Sequence, residues 1–150
     1  MQPSSHMQRA LAEARAAAVR GEVPVGAVVA DPGSGEVVAA AGNRMVELRD
    51  PTAHAELLAI RGAAQTVGSE RLGGLDLYAT LEPCPMCAQA ASLARIRRLV
   101  YGAEDPKGGG VDHGPRIFAQ ATCHHSPQVI AGVAEGEAAA LLREFFAARR

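Results

Sequence analysis

Leu75-Asp76-Leu77-Tyr78-Ala79-Thr80-Leu81-Glu82-Pro83-Cys84-Pro85-Met86-Cys87 is the stretch on which the fold turns. Residues 75–80 are apolar and β-prone, which predicts a strand. The Pro-Cys-Pro-Met-Cys turn follows directly and opens into a helix through Leu93. Upstream, Asp50-Pro51-Thr52-Ala53-His54-Ala55-Glu56 opens another helix, with Thr52 as its candidate cap and Leu57, Leu58, Ile60 and Arg61 carrying it to about Val67. Both groups of reactive side chains therefore fall at helix starts. A helix N-terminus lowers a thiolate pKa and favours the anionic forms of Cys84, Cys87 and Glu56. Two such starts facing each other make one pocket from residues far apart in sequence.

Outward from this pair, the rest of the chain alternates strand and helix. Residues 1–7, Met-Gln-Pro-Ser-Ser-His-Met, are polar and aperiodic, and read as a flexible tail or a vector-derived remnant ahead of a start at Met7. From Gln8 to about Arg20, Leu11, Ala14, Ala18 and Val19 are spaced for one helical face, and Gly21 ends the helix. Val25–Ala30 and Val37–Ala41 are small, apolar runs joined by Asp31-Pro32-Gly33-Ser34-Gly35, the pattern of a hairpin. Arg98–Gly102 is a further strand, and Pro106–Pro115 is a Gly-rich loop. Val129–Val133 is the candidate for a last short strand. Glu135–Arg149 is an amphipathic helix with Leu141, Leu142, Phe145 and Phe146 expected inward. An α/β fold follows: a mixed sheet of about five strands with helices on both faces, an α/β/α sandwich. Residues 8–150 make a single domain.

Composition narrows the setting. At 150 residues, 48% of them apolar, the chain can build one core without covalent cross-links. Its three cysteines leave no disulfide framework once two bind metal, which favours a reducing compartment. No basic region precedes an apolar stretch at the N-terminus, and no window reaches membrane-spanning length. The expectation is a soluble, cytoplasmic protein with no membrane association. A net charge of −1 does not advertise nucleic-acid binding, although Arg95, Arg97 and Arg98 cluster and the chain ends Arg149-Arg150. Aromatic residues make up only 3%, so extended base stacking is excluded and any nucleic-acid contact is short and local.

Read together, His54-Ala55-Glu56, Pro83-Cys84 and Cys87 spell H-x-E … P-C-x-x-C, the signature of zinc enzymes that hydrolyse an exocyclic amine off a nucleobase. His54, Cys84 and Cys87 supply one imidazole and two thiolates for zinc, leaving a fourth position for water, as catalytic rather than structural sites do. Zinc can lower the pKa of that water to about 7. Glu56 is not a ligand and is free to move protons from water to ring and then to the departing amine. Glu82, just before the turn, reads as a supporting acid and not a second catalyst. Two other readings of the cysteines stand beside this one. A structural zinc site needs a fourth ligand from Cys123, His124, His125 or His113, and a redox Cys-x-x-Cys pair leaves His54 and Glu56 without a purpose. Cys123-His124-His125 also invites a second-metal reading, against which a loop or packing role is favoured because adjacent side chains rarely converge on one ion.

Further segments go beyond the zinc motif: Val23-Pro24-Val25-Gly26-Ala27-Val28, Gly42-Asn43-Arg44, Asp50 to Glu56, Thr80 to Cys84, Tyr101-Gly102-Ala103, Asp105-Pro106-Lys107-Gly108-Gly109, and Leu141 to Phe146. With them the chain resembles the bacterial tRNA-specific adenosine deaminases of the cytidine/deoxycytidylate deaminase superfamily, from about residue 8 to its end. The resemblance implies a cytidine-deaminase-like sandwich, a homodimer, one Zn2+ per subunit, and conversion of the wobble adenosine of a tRNA anticodon stem-loop to inosine. It assigns the ligand role to His54, Cys84 and Cys87 and the proton shuttle to Glu56. It also implies base contact by Asn43 and by the backbone around Pro83, and anticodon-loop contact by Asp105, Lys107, Arg149 and Arg150. Two stretches depart from the family pattern. The Gly-rich segment continues as Val111-Asp112-His113-Gly114-Pro115 instead of reaching a Ser, and Ala147-Ala148 stands where basic residues are frequent.

Two other functions compete. A zinc deaminase of a free base or nucleoside (guanine, cytosine or adenosine) would share the chemistry and differ in the pocket. A non-catalytic zinc-stabilised binding module would have no use for Glu56.

Overall fold

The computed structural model describes residues 3–149, and three layers emerge from the alternation of its strands. A five-stranded sheet runs in the order β2-β1-β3-β4-β5, with β1 at Gly26–Ala30, β2 at Val37–Gly42, β3 at Asp76–Leu81, β4 at Arg98–Ala103 and β5 at Gln128–Ile130. β1 pairs antiparallel with β2 and β3, whereas β3, β4 and β5 run parallel. Successive side chains point to opposite faces. Ala27, Val29, Leu77, Ala79, Leu99 and Tyr101 therefore face α2 (Ala55–Val67) and α3 (Pro85–Leu93). Val28, Tyr78 and Val100 face α1 (Pro3–Val19) and α4 (Glu135–Ala147). The expected sandwich and its mixed sheet are what the chain forms.

The first helix is longer than its sequence pattern announces. It starts at Pro3, and Met7 is fully buried beside Ala10 and Leu11. His6 is 4% exposed, its ring tilted against Tyr78 with centroids 5.1 Å apart. Residues 3–7 are thus the first turns of α1 and not a tail, because Met7, Leu11 and Ala14 continue one apolar stripe at helical spacing. Residues 1 and 2 lie outside the described residues.

Three other expectations change in detail. The Thr52 hydroxyl donates to Asp50 Oδ1 at 2.7 Å and does not cap α2; the first amide of that helix, at Ala55, is instead accepted by Asn43 Oδ1 at 2.8 Å. Phe146 is 48% exposed while Phe145 is buried, so the inward face of α4 runs through Ala138 and Phe145. The last strand is β5 at Gln128–Ile130 and not Val129–Val133, because Gly132 turns the chain at positive φ before α4.

The sheet also sorts the charges. Arg97 grips buried Asp76 with two hydrogen bonds of 2.9 and 2.7 Å, and Arg98 reaches Gln128. Both lie where the parallel strands begin, since Asp76 is in register with Arg98. Glu82–Cys84 and Glu104–Asp105 follow the opposite, carboxyl ends, where open parallel sheets bind ligands.

α1 lies so close to β1 that no side chain fits between them. A Cβ on Gly26 would stand 2.7 Å from the Ala14 amide nitrogen and collide outright with the Ala10 carbonyl. Gly26→Ala is expected to destabilise the protein by about 1–3 kcal/mol or more, as overpacking does. An unchanged midpoint in urea unfolding would contradict this packing.

A candidate metal centre and its pocket

His54 and Cys84 each occupy the residue immediately before a helix, α2 and α3, with extended backbone at φ/ψ of −73°/149° and −69°/170°. Cys87 lies in the first turn of α3, buried, and Glu56 in the first turn of α2, 4% exposed. The two helices pack side by side on the same face of the sheet, so their N-termini meet. Ligand atoms of His54, Cys84 and Cys87 all lie within 4.8 Å of one another.

The spacing fits zinc. His54 Nδ1 is 3.5 Å from Cys84 Sγ and 3.6 Å from Cys87 Sγ. With Zn–N and Zn–S bonds of about 2.0 and 2.3 Å, a tetrahedral ion requires an N···S edge of roughly 3.6 Å. Two thiolates and an imidazole are also the donors that zinc prefers. Among the described residues no fourth His, Cys, Asp or Glu joins the group. The sequence candidates for that position are engaged elsewhere. His113 Nδ1 donates to Glu82 at 2.7 Å, His125 Nε2 donates to the Ile96 carbonyl at 2.6 Å, and Cys123 Sγ lies 3.4 Å from Ser92 Oγ; His124 is exposed. Cys123 and His125 thereby pin their loop to α3 and to the approach to β4, a packing role. Three protein ligands and one open position is the catalytic pattern.

Local electrostatics favour the anion at Cys84 but not at Cys87 or Glu56, against the expectation from their place at helix starts. The hydrogen bond from the Cys87 thiol holds Cys84 down at about 4 against the opposing cost of burial, and the His54 ring acts in the same direction. The Cys84 sulfur beside it, together with burial, holds Cys87 well above the ordinary thiol range. One proton is thus shared between the sulfurs, and a divalent cation would displace it. His54 is raised, first by Cys84. Burial pushes the Glu56 carboxyl up to about 7, with the Cys84 charge adding to the rise and its own backbone amide and His54 opposing it. A group near 7 can both accept and return a proton at neutral pH.

A cavity of about 260 Å³ opens beside the cluster. His54, Glu56 and Cys84 line it with apolar Val23, Val25 and Leu81, and Asn43, Met45, Asp105 and Gly108 complete its edge. Of the residues singled out from sequence, His54, Glu56, Cys84, Asn43 and Asp105 therefore converge, with Cys87 buried beside them. Pro83 is buried, its carbonyl accepting from the Gly110 amide at 2.8 Å. Lys107 is exposed on the Asp105 loop. Arg149 folds back on α4, its guanidinium 3.4 Å from the Phe145 ring centroid and Nη1 donating to the Phe145 carbonyl. Arg150 lies outside the described residues.

Sequence reasoning missed one buried acid. Glu22 is 2% exposed and accepts the amides of Val46 and Glu47 at 3.1 and 2.9 Å, fixing the turn that carries Met45 to the pocket. Its one signal is a lone charge entering the otherwise apolar run Val23–Ala30.

Comparison with known proteins agrees with this geometry. The profile of the cytidine and deoxycytidylate deaminase zinc-binding region matches residues 1–103. The chain is 58% identical over 144 residues to a tRNA-specific adenosine deaminase of Agrobacterium fabrum, covering 96% of this chain and 93% of that protein. Its counterpart from Bacillus subtilis is 41% identical over 145 residues, 97% of this chain and 89% of that one. A solved tRNA:A34 deaminase, studied for A-to-I editing at the wobble position of transfer RNA, superposes with a TM-score of 0.90 at 57% identity, over 93% of this chain and 99% of its own. A guanine deaminase from Nitrosomonas europaea shares the fold at 27% identity with a TM-score of 0.81, over 97% of this chain and 85% of its own.

Removing a ligand should separate metal binding from folding of the sheet. Cys87→Ala is expected to weaken zinc affinity by more than the roughly 10–100-fold that loss of an outer-sphere partner costs. Competition with a chromophoric chelator measures this, and an unchanged affinity would exclude Cys87 as a ligand.

Proposed function

The chain belongs to the tRNA-specific adenosine deaminases, within the cytidine and deoxycytidylate deaminase family, and on that premise we propose that it deaminates the wobble adenosine of a tRNA anticodon loop to inosine. The observation that carries this reading is the convergence of Glu56 and the three-ligand cluster on one base-sized pocket.

His54, Cys84 and Cys87 would hold one zinc per subunit, which would supply Lewis-acid activation of a water. Glu56 takes the proton released as the water oxygen bonds to the ring carbon, and passes it to the adjacent ring nitrogen. It then takes the remaining proton of the added hydroxyl and gives it to the exocyclic amine, and as the ring carbonyl forms the C–N bond breaks to release ammonia. Water in and ammonia out balance the reaction. Val23, Val25 and Leu81 keep bulk water from the ring faces. Asn43 is held on both sides, its Nδ2 donating to the Val23 carbonyl at 3.1 Å and its Oδ1 accepting from Ala55. One N–H and one lone pair remain free to meet the base. The backbone at Pro83-Cys84 flanks the same edge.

Asp105, at the pocket edge, and Lys107 on the same loop contact the anticodon loop, and Arg149 and Arg150 meet its backbone. Single-stranded loops are recognised by splaying out the target base while its neighbours bind nearby. The enzyme acts as a homodimer in the cytoplasm. No helix among the described residues is long and apolar enough to cross a membrane. Exposed Leu93 beside Ala90 and Ala64 gives the α2–α3 side an apolar surface that suits a subunit contact.

Zinc-loaded protein is expected to form inosine in an anticodon stem-loop carrying a wobble adenosine, and to leave free adenosine, cytidine and guanine unchanged. Turnover of a free base with an inert stem-loop would transfer the protein to the small-substrate branch. Glu56→Ala should keep fold and zinc but lose at least about 10²–10⁴-fold in turnover, the usual contribution of general acid–base catalysis. Loss of folding instead would refute the catalytic assignment. Light scattering at working concentration should give the mass of two chains; a monomer would contradict the dimer.

A further inference from the structure

Glu82 is a buried carboxylate outside the metal cluster, its side chain completely enclosed. It follows β3 immediately and precedes Pro83-Cys84. A carboxylate in that position requires donors, and all of its donors come from one loop. Oε1 accepts the Asp105 amide at 3.1 Å and His113 Nδ1 at 2.7 Å. Oε2 accepts the amides of Val111, Asp112 and His113 at 3.2, 3.0 and 3.2 Å. Five donors fill the roughly four acceptor sites of a carboxylate.

The glycines of the loop exist to permit this closure. A Cβ on Gly109 would stand 2.5 Å from Glu82 Cδ, and one on Gly110 would stand 2.5 Å from Pro85 N. The Gly110 amide donates to the Pro83 carbonyl at 2.8 Å, tying the loop directly to the start of α3. A second anchor comes from β4, where the Tyr101 hydroxyl donates to the Asp112 carboxylate. The same loop presents Asp105 and Gly108 to the pocket.

We propose that Glu82 is the positioning residue of the substrate pocket, its buried carboxylate gathering the 105–113 loop into a fixed wall beside the metal ligands. Glu82 is not a member of the His54–Cys84–Cys87 group, and it acts through Asp105, Gly108 and the backbone they belong to. The part of the proposal that concerns substrate rests on the function given above. The part that concerns the loop stands without it.

The test compares wild type with Glu82→Gln and Gly109→Ala, all zinc-loaded, in three measurements. Glu82→Gln puts an NH2 group among five donors, and Gly109→Ala opens the same closure from the loop side while leaving the carboxylate in place. Amide hydrogen exchange over 105–113 is expected to accelerate in both variants, with exchange in the sheet and α2 unchanged. Zinc content is expected to remain at the wild-type level. kcat/KM for the anticodon stem-loop is expected to fall about 10–100-fold in both, mostly through KM, because displacement of a pocket wall by about 1 Å has effects of this size. The double variant should be no worse than the more damaging single variant, since both break one contact.

A carboxylate that serves stability alone predicts something else: a lower unfolding midpoint, with loop exchange and kinetic constants of the folded enzyme unchanged. That result overturns the proposal. Loss of zinc from both variants overturns it as well, by making Glu82 a support of the ligands instead. Should Glu82→Gln fail to fold, Gly109→Ala and Tyr101→Phe, which removes the second anchor, carry the same comparison. If wild type does not deaminate the stem-loop, the function reading fails, and the exchange data still decide the role of Glu82.

Discussion

Two helix N-termini meet at one point, and the arrangement of the molecule follows from that meeting. Each brings backbone amides and a partial positive charge to the cluster, yet burial holds the Glu56 carboxyl up and the Cys84 sulfur holds Cys87 up. Cys84 and Cys87 come from one helix, His54 and Glu56 from the other, and Nδ1 of the imidazole is held 3.5–3.6 Å from both sulfurs. Neither helix can place these atoms alone. α2 reaches the point because Asn43, at the end of the β1–β2 hairpin, accepts its first amide. α3 reaches it because β3 ends at Leu81, with only Glu82 between the strand and Pro83-Cys84. The sheet is the common frame, and the close approach of α1 at Gly26 locks its far face.

Buried acids divide by how completely the protein answers them. Glu22, Asp76 and Glu82 are each 2% exposed or less, and each is met by two or more hydrogen bonds from a neighbouring segment or an arginine. Such an acid organises what surrounds it, since a buried polar group left without partners would be costly. Glu56 is as deeply buried, but among the described residues its hydrogen bonding is confined to its own backbone amide, and its carboxyl rises to about 7. That difference separates Glu56, the proposed proton carrier, from the acids that build its surroundings. Burial alone does not mark a catalyst; burial without donors, beside a metal cluster, does.

The sequence pattern made the sandwich, the hairpin, the helices that begin at His54 and Cys84, and the grouping of His54, Cys84 and Cys87 legible because each depends on local chemistry. Strand alternation, apolar helical spacing and a strand running straight into Pro83-Cys84 are visible without tertiary information. What escaped reading is what arrives from elsewhere in the chain. Thr52 has a good capping side chain, but Asp50 captures its hydroxyl, and the cap comes from Asn43 on another element. Phe145 and Phe146 are chemically alike, and only the packing of α4 decides which one faces inward. Met7 and His6 looked like tail residues because three polar positions precede them, yet burial against the sheet extends the helix back to Pro3. Glu82 could be identified as a supporting acid, but not its partners, since the loop that supplies them lies beyond another helix and strand.

Charge placement bears on how so neutral a molecule engages a nucleic acid. The densest run of arginines, 95–98, lies at the amino ends of the parallel strands, away from the pocket, and Arg97 there is committed to Asp76. Arg149 is drawn onto Phe145. Long-range attraction of phosphates is therefore weak in a chain of net charge −1. Discrimination must then come from short-range fit: a base entering a pocket of about 260 Å³ whose edges are set in advance. A wall that had to be ordered by each substrate would subtract its ordering entropy from an already small electrostatic attraction. Fixing the loop through Glu82 and Tyr101 removes that cost before binding, which gives the buried carboxylate a role in recognition as well as in folding.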